Sequence, residues 1–248
     1  MIPASVGFQC PECVREGNAS VRRVRGGGLR AAARRWGAIT LTLIAINVAM
    51  FLVTAVSAVT VGNSPLDNYL SPLFVSLSQA PIDVVVNGEW WRLLTAAFLH
   101  YGPVHLVFNM LGLLVFGAEL ERALGRGRFL TLYLASALGG ATAIQLFGGF
   151  DTSVAGASTA IYGLLGGLGV VLVATRQSLR GLLQLLAINL FLSLLPGISL
   201  IGHLGGLVTG ALTAGILVLA RRRPALQILG VAVLVVVLAV LALTGRAG

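Results

Sequence analysis

The chain has 248 residues, 57% of them hydrophobic and only 10% charged, with a formal net charge of +9 and a mean hydropathy of +0.94. A soluble domain carries about 25% charged residues, so that class is excluded and the apolar excess must face lipid. All 17 basic residues are arginine and lie between apolar runs rather than on one face; this charge speaks for membrane orientation and against a nucleic-acid partner.

Residues 1–36 are polar and rich in Gly and Arg, and read as a cytoplasmic segment without the form of a signal peptide. Apolar runs follow at 37–60, 104–121, 129–149, 157–175, 181–195, 200–220 and 225–244. A spanning helix needs about 20 mostly apolar residues, so the pattern predicts an all-α polytopic membrane helix bundle of about seven transmembrane helices. The fifth run is the shortest and carries Gln184 and Asn189. The stretch 61–103 is the one long connection, a length at which loops usually carry function.

With the N-terminus inside and seven alternating spans, fifteen of the 17 arginines fall on the inner side, leaving Arg92 and Arg246 outside. The positive-inside rule therefore predicts a multi-pass protein of the plasma membrane with a cytoplasmic N-terminus and an external C-terminus. Omitting the fifth run would strand Arg221, Arg222 and Arg223 outside, which argues for keeping it.

Polar side chains within spans are costly and are functional candidates by default. The second span opens with His105 and Asn109, the fourth with Ser158 and Tyr162, each pair on one helix face by its i, i+4 spacing, and the sixth with His203. In the arginine-derived topology these three spans all start on the outer side. A topology set by charge alone thus gathers Ser, two His and Asn in one layer. Singly, each has an ordinary structural reading: a packing serine, a bridging histidine, an interhelical asparagine. Together they supply what acyl transfer requires, a nucleophile (Ser158), a base (His203) and oxyanion donors (His105, Asn109). There is no H-E-x-x-H motif, which removes the usual zinc-protease signature. No Asp or Glu lies in the core of a span, so nothing indicates an aspartyl dyad and His203 lacks a carboxylate orienter. Four-residue glycine spacings, Gly202–Gly206–Gly210 and Gly163–Gly167, would let the fourth and sixth spans approach closely.

The segments W-W-R-L-L-T-A-A-F-L-H-Y-G-P-V-H-L-V-F-N-M-L (90–111), G-A-S-T-A-I-Y-G (156–163) and G-H-L-G-G-L-V-T-G (202–210) resemble the rhomboid intramembrane serine proteases in their six-plus-one form. The resemblance implies an N-terminal segment 1–36, a six-helix core 37–222 and an additional C-terminal helix 223–248. It implies Ser158 as nucleophile and His203 as base, with His105, Asn109 and the Ser158 backbone N–H on the oxyanion. Tyr162 would pack on the His203 ring, and Trp91 and Arg92 would stabilise the first outer loop. The implied activity is endoproteolysis of transmembrane segments in single-span substrates within the lipid bilayer, without a cofactor. The rival reading is a non-catalytic relative that binds or escorts transmembrane clients. Two positions depart from the family pattern: Thr159 stands where glycine usually follows the serine, and Gly202 stands where alanine commonly precedes the histidine.

Cys10-Pro11-Glu12-Cys13 has the spacing of half a zinc site. Some relatives carry a small zinc ribbon before the first span, and the chain is read as starting inside one. The pair would hold structural zinc only if other ligands are supplied, and two exposed cytoplasmic thiols are the equal alternative.

Overall fold

A computed structural model describes residues 2–3, 8–12, 15–16, 28–195 and 197–245. The chain divides into two compact units, Met1–Arg35 and Trp36–Gly248. In the first, two-residue strands β1 (Ile2–Pro3) and β2 (Phe8–Gln9) pair antiparallel. Cys10 follows them and is exposed, whereas Cys13 lies outside the described residues. Among the described residues no group of three or more His, Cys, Asp or Glu is placed to hold a metal. A short helix, α1 (Leu29–Trp36), ends at the junction of the units.

The second unit is an all-α helical bundle. Helix α2 (Ala38–Thr60) is long and apolar enough to cross a membrane. Its first N–H groups have no intrahelical acceptor, and a carboxylate from elsewhere in the chain serves them: the buried Glu121 accepts from Ile39 N–H (3.1 Å), Thr40 N–H (2.8 Å) and Thr40 Oγ1 (2.9 Å). Negative charge at a helix N-terminus is favourable, and this contact ties the start of the first span to the end of the second. Gly37, at φ +83°, leaves the room, since a Cβ there would meet Glu121 Oε2 at 2.2 Å.

The connection 61–101 folds into short pieces: a 3-10 turn at Pro65–Leu70, α3 (Pro72–Leu77), α4 (Pro81–Val85), α5 (Arg92–Thr95) and a second 3-10 turn at Ala96–Phe98. Proline begins the first three, where its missing N–H costs no hydrogen bond. The second span runs from Gly102 to Leu124 as α6 (Gly102–Gly112), a π-helical turn at Leu113–Gly117 and α7 (Ala118–Leu124). Then come α8 (Arg126–Phe147), α9 (Ser158–Ala174), α10 (Arg180–Leu192), α11 (Leu200–Leu219) and α12 (Pro224–Thr244).

Burial sorts these helices. The apolar stretch of α8 is 72% buried and that of α12 only 11%, so α8 is central and α12 peripheral. Helix α12 leans on α8 through Leu138, Ala141, Leu238 and Ala242, and Gln227 anchors its first turn by donating to Leu217 O and accepting from Arg128 Nε. Large apolar side chains such as Phe147, Phe191, Leu219 and Ile228 are left exposed on the outside of the bundle, as a lipid-facing surface requires.

Of the seven apolar runs, five form helices long and apolar enough to cross a membrane, while α9 and α10 are shorter. The fifth run is expected to reach residue 195, yet its helix stops at Leu192. At about 1.5 Å per residue, its 13 residues fall well short of a hydrocarbon core about 30 Å thick. Helix α10 buries only Leu182 along its length.

Candidate active site

Three helices present their N-terminal turns to one cavity. Helix α9 is brought against α11 by glycine: a Cβ on Gly206 would lie 1.9 Å from Thr159 O, and one on Gly210 would lie 2.0 Å from Gly163 O. No larger residue fits between these backbones, and small-residue faces of this kind are what allow helices to touch in lipid. The contact carries Ser158, the first residue of α9, to His203, one turn into α11, with Ser158 Oγ and His203 Nε2 2.8 Å apart. Tyr162 lies one turn below Ser158, its ring stacked on the His203 imidazole with centroids 4.0 Å apart and planes 12° apart.

Helix α6 supplies the third side. Asn68, fully buried, donates to Thr54 Oγ1 and His100 O and accepts from Gly102 N–H, which pins the start of α6 against α2. Tyr101 N–H then donates to His105 Nδ1 (3.2 Å). With Nδ1 accepting, the His105 proton sits on Nε2, which faces Gly156 and Ser158. Gly156 is at φ +145°, and a Cβ there would come within 2.9 Å of His105 Cε1, 3.1 Å of Nε2 and 3.4 Å of Ser158 Oγ. The bare Cα therefore lets the serine and this N–H share one space. Gly156 N–H is held by Ala96 O at 2.9 Å. Asn109 directs one amide hydrogen to His105 O (2.9 Å), leaving the other for a ligand. The Ser158 backbone N–H opens α9 and has no intrahelical acceptor.

The four groups line one open cavity of about 1410 Å³, together with Tyr162 and Ser193. His100 is wholly buried beside it, its ring edge-on to His105 at 5.2 Å. Burial, with the neighbouring His105 as the lesser cause, pushes the His100 imidazole down to about 3, so it is neutral at physiological pH.

Arg92 and Trp91 lie in the long connection 61–101. Arg92 is buried, pairs with Glu89 and Asp83, and donates to the carbonyls of Val75 and Ser78. One guanidinium thereby holds α3, α4 and α5 in register. Trp91 Nε1 donates to Ser76 O, and Trp90 projects outward. The loop reaches the cavity wall through Gln79, which pairs with Val154 along the backbone and donates to Ala141 O.

Sequence reasoning missed one residue. Ser193, just past α10 and buried, contacts His203 Nδ1, Tyr162 OH and Asn189 O. It lies near the end of an apolar run, facing the same cavity as Ser158, which was a usable signal, but a lone serine there reads equally well as a helix cap.

The two departures from the family pattern fit one another. Thr159 is buried and helical, outside any glycine-only backbone region. Its side chain fills a niche between two glycines of neighbouring helices: a Cβ on Gly140 would meet Thr159 Cβ at 2.5 Å, and one on Gly202 would meet Thr159 Cγ2 at 3.1 Å. Gly140 chiefly leaves the room for Thr159, and Gly202 adds to it, although a Cβ on Gly202 would meet Ile144 Cδ1 first, at 2.8 Å.

Comparison with known proteins agrees with this architecture. The Rhomboid domain family matches residues 87–220, and the chain belongs to the rhomboid family of intramembrane proteases. It is 34% identical over 207 residues to rhomboid protease GluP of Bacillus subtilis (strain 168), covering 81% of this chain and 39% of that protein. It is 37% identical over 146 residues to putative rhomboid protease YdcA of the same organism, covering 56% of this chain and 73% of the relative. It is 40% identical over 149 residues to RHOMBOID-like protein 4 of Arabidopsis thaliana, covering 55% and 36%. The chain therefore spans less than half the length of GluP and of the plant protein.

The Thr159–Gly202 fit is testable by thermal unfolding in detergent. Thr159→Gly is expected to cost about 1–2 kcal/mol through a small cavity and a helical glycine, and Gly202→Ala about 1–3 kcal/mol through overpacking. The double variant should recover about 1 kcal/mol relative to the sum, as residues in contact do. Strictly additive losses would show that the two positions do not compensate.

Proposed function

We propose that the chain is an intramembrane serine endopeptidase that cuts transmembrane segments with a Ser158–His203 pair. The observation that carries the reading is the 2.8 Å contact between Ser158 Oγ and His203 Nε2 inside a cavity framed by apolar, lipid-facing helices. Support also comes from the names of the bacterial relatives, two of which are called rhomboid proteases.

The chemistry follows from the groups present. His203 Nε2 takes the Ser158 proton as Oγ attacks the scissile carbonyl carbon, forming a C–O bond and placing the negative charge on the former carbonyl oxygen. That oxyanion would be met by Ser158 N–H, His105 Nε2–H and the uncommitted Asn109 amide hydrogen, donors that need no rearrangement as the charge develops. His203 then returns the proton to the departing amine as the C–N bond breaks, leaving an acyl group on Ser158. Water entering the open cavity attacks the acyl carbon, again giving its proton to His203, and Ser158 is regenerated as the acid product leaves. The substrates would be single-span membrane proteins whose helix is locally unwound, because a helical peptide carbonyl is engaged by the N–H four residues ahead and shielded from attack.

After reconstitution with a single-span model substrate, Ser158→Ala and His203→Ala are each expected to lower turnover by about 10³-fold or more, and the double variant by no more than either, since the two act as a unit. Appreciable cleavage by either folded single variant would refute the pair, and a native chain that binds the substrate without cutting it would favour a binding or escort role.

The same reading places the N-terminus in the cytoplasm and the cavity at the outer face of the plasma membrane, on the strength of the arginine distribution. Reporter fusions after residues 30 and 245 should report opposite sides of the membrane. Same-side signals would contradict an odd number of crossings.

A further inference from the structure

A histidine base works only if its ring is held in one tautomer, with Nδ1 carrying the hydrogen and Nε2 presenting a lone pair to the nucleophile. A carboxylate on Nδ1 usually enforces this. Here Asp83 and Glu89 of the long connection are engaged with Arg92, Asp67 sits in an exposed turn beside Tyr69, and the group at His203 Nδ1 is the neutral hydroxyl of Ser193, 2.7 Å away.

The surroundings of that hydroxyl decide where the protons lie. Ser193 Oγ is 2.8 Å from Asn189 O, 2.7 Å from Tyr162 OH and 2.7 Å from His203 Nδ1. Asn189 O can only accept, so the single Ser193 hydrogen must point to it; otherwise two oxygens would face each other at 2.8 Å with no hydrogen between them. Both Ser193 lone pairs then accept, one from Tyr162 OH and one from His203 Nδ1–H. Three hydrogens thus serve three contacts, and every other assignment leaves one contact repulsive. The consequence at the far side of the ring is a lone pair on Nε2, directed at Ser158.

We infer that Ser193 is a positioning residue for the base: its hydroxyl fixes the Nδ1–H tautomer and the ring plane of His203, and Tyr162 acts through it as well as by stacking. This rests on the reading of His203 as general base. A serine suits the place because it closes α10, where its own N–H also bonds Asn189 O at 2.9 Å, and back-bonding to the i−4 carbonyl is a normal habit of serine in helices. Helix α10 is otherwise lightly held, so this hydroxyl is also the polar tie between its outer end, Tyr162 of α9 and His203 of α11.

The test is steady-state cleavage of a single-span substrate in proteoliposomes, with Ser158→Ala and His203→Ala as controls. Ser193→Ala should lower kcat by about 10–100-fold with KM within about twofold, and Ser193→Thr, which keeps the hydroxyl, should return kcat to within about threefold of the native chain. Should the threonine variant prove unstable, a double-mutant cycle decides. Tyr162→Phe should slow the native chain yet cost nothing further in the Ser193→Ala background, because the contact is already gone. If the controls abolish cleavage while Ser193→Ala keeps native kcat, shows its loss in KM alone, or adds fully to Tyr162→Phe, the positioning role is overturned and the Ser158–His203 pair stands. If His203→Ala itself still cleaves, the base assignment falls and the role of Ser193 falls with it.

Discussion

The close approach of α9 and α11 is the constraint on which the rest of the structure depends. In lipid, helices gain little from burying apolar surface against each other, and association relies on packing and on interhelical hydrogen bonds. Gly206 and Gly210 admit the carbonyl oxygens of Thr159 and Gly163 into space that any side chain would occupy. Only with the axes this near can a first-turn serine on one helix reach a histidine on the other. The side chains around that contact are tailored to it: Thr159 fills the niche that Gly140 and Gly202 leave, and Tyr162 covers the imidazole face.

A second economy governs the polar groups, since an unpaired polar atom is expensive where water is excluded. Glu121 is sunk into the bundle but spends its oxygens on the opening turn of α2. Arg92 and Asn68 are buried and each joins several segments of the outer connection. These groups make a stiff frame around α6, which fixes His105 and Asn109 relative to the cavity. Against that frame α10 is the exception, with little buried surface and one polar attachment through Ser193. One wall of the cavity, at Asn189, Leu192 and Ser193, is thus built from a lightly held helix.

Much of this was legible in the sequence. The apolar runs give the helices to within a few residues, because a 20-residue run without charge has few alternatives, and charge counting alone places Ser158, His105 and His203 in one layer. The glycine spacing correctly foretells which helices touch. The folding of residues 61–101 was not legible, since its short helices owe their form to contacts with Arg92, Asn68 and Gln79 rather than to periodicity. Nor was the Glu121 cap, whose partners lie more than eighty positions earlier in the chain. Thr159 looked like a departure because its compensation sits on two other helices. Ser193 was not legible because a lone serine near the end of an apolar run reads equally well as a helix cap.

The central claim is that glycine-permitted contact between α9 and α11 is what makes Ser158 a nucleophile. The most direct measurement is the rate at which a fluorophosphonate modifies Ser158, followed by intact mass, in the native chain and in Gly210→Ala, both below their unfolding temperatures. Gly210 lies about two turns from His203 and outside the cavity lining, yet an added Cβ would force α11 off Gly163 O. The account predicts modification of Ser158 in the native chain and a rate at least about tenfold lower in the variant, equivalent to about 1.4 kcal/mol of barrier. A native chain that stays unmodified, or a folded Gly210→Ala chain that reacts at the native rate, would contradict it.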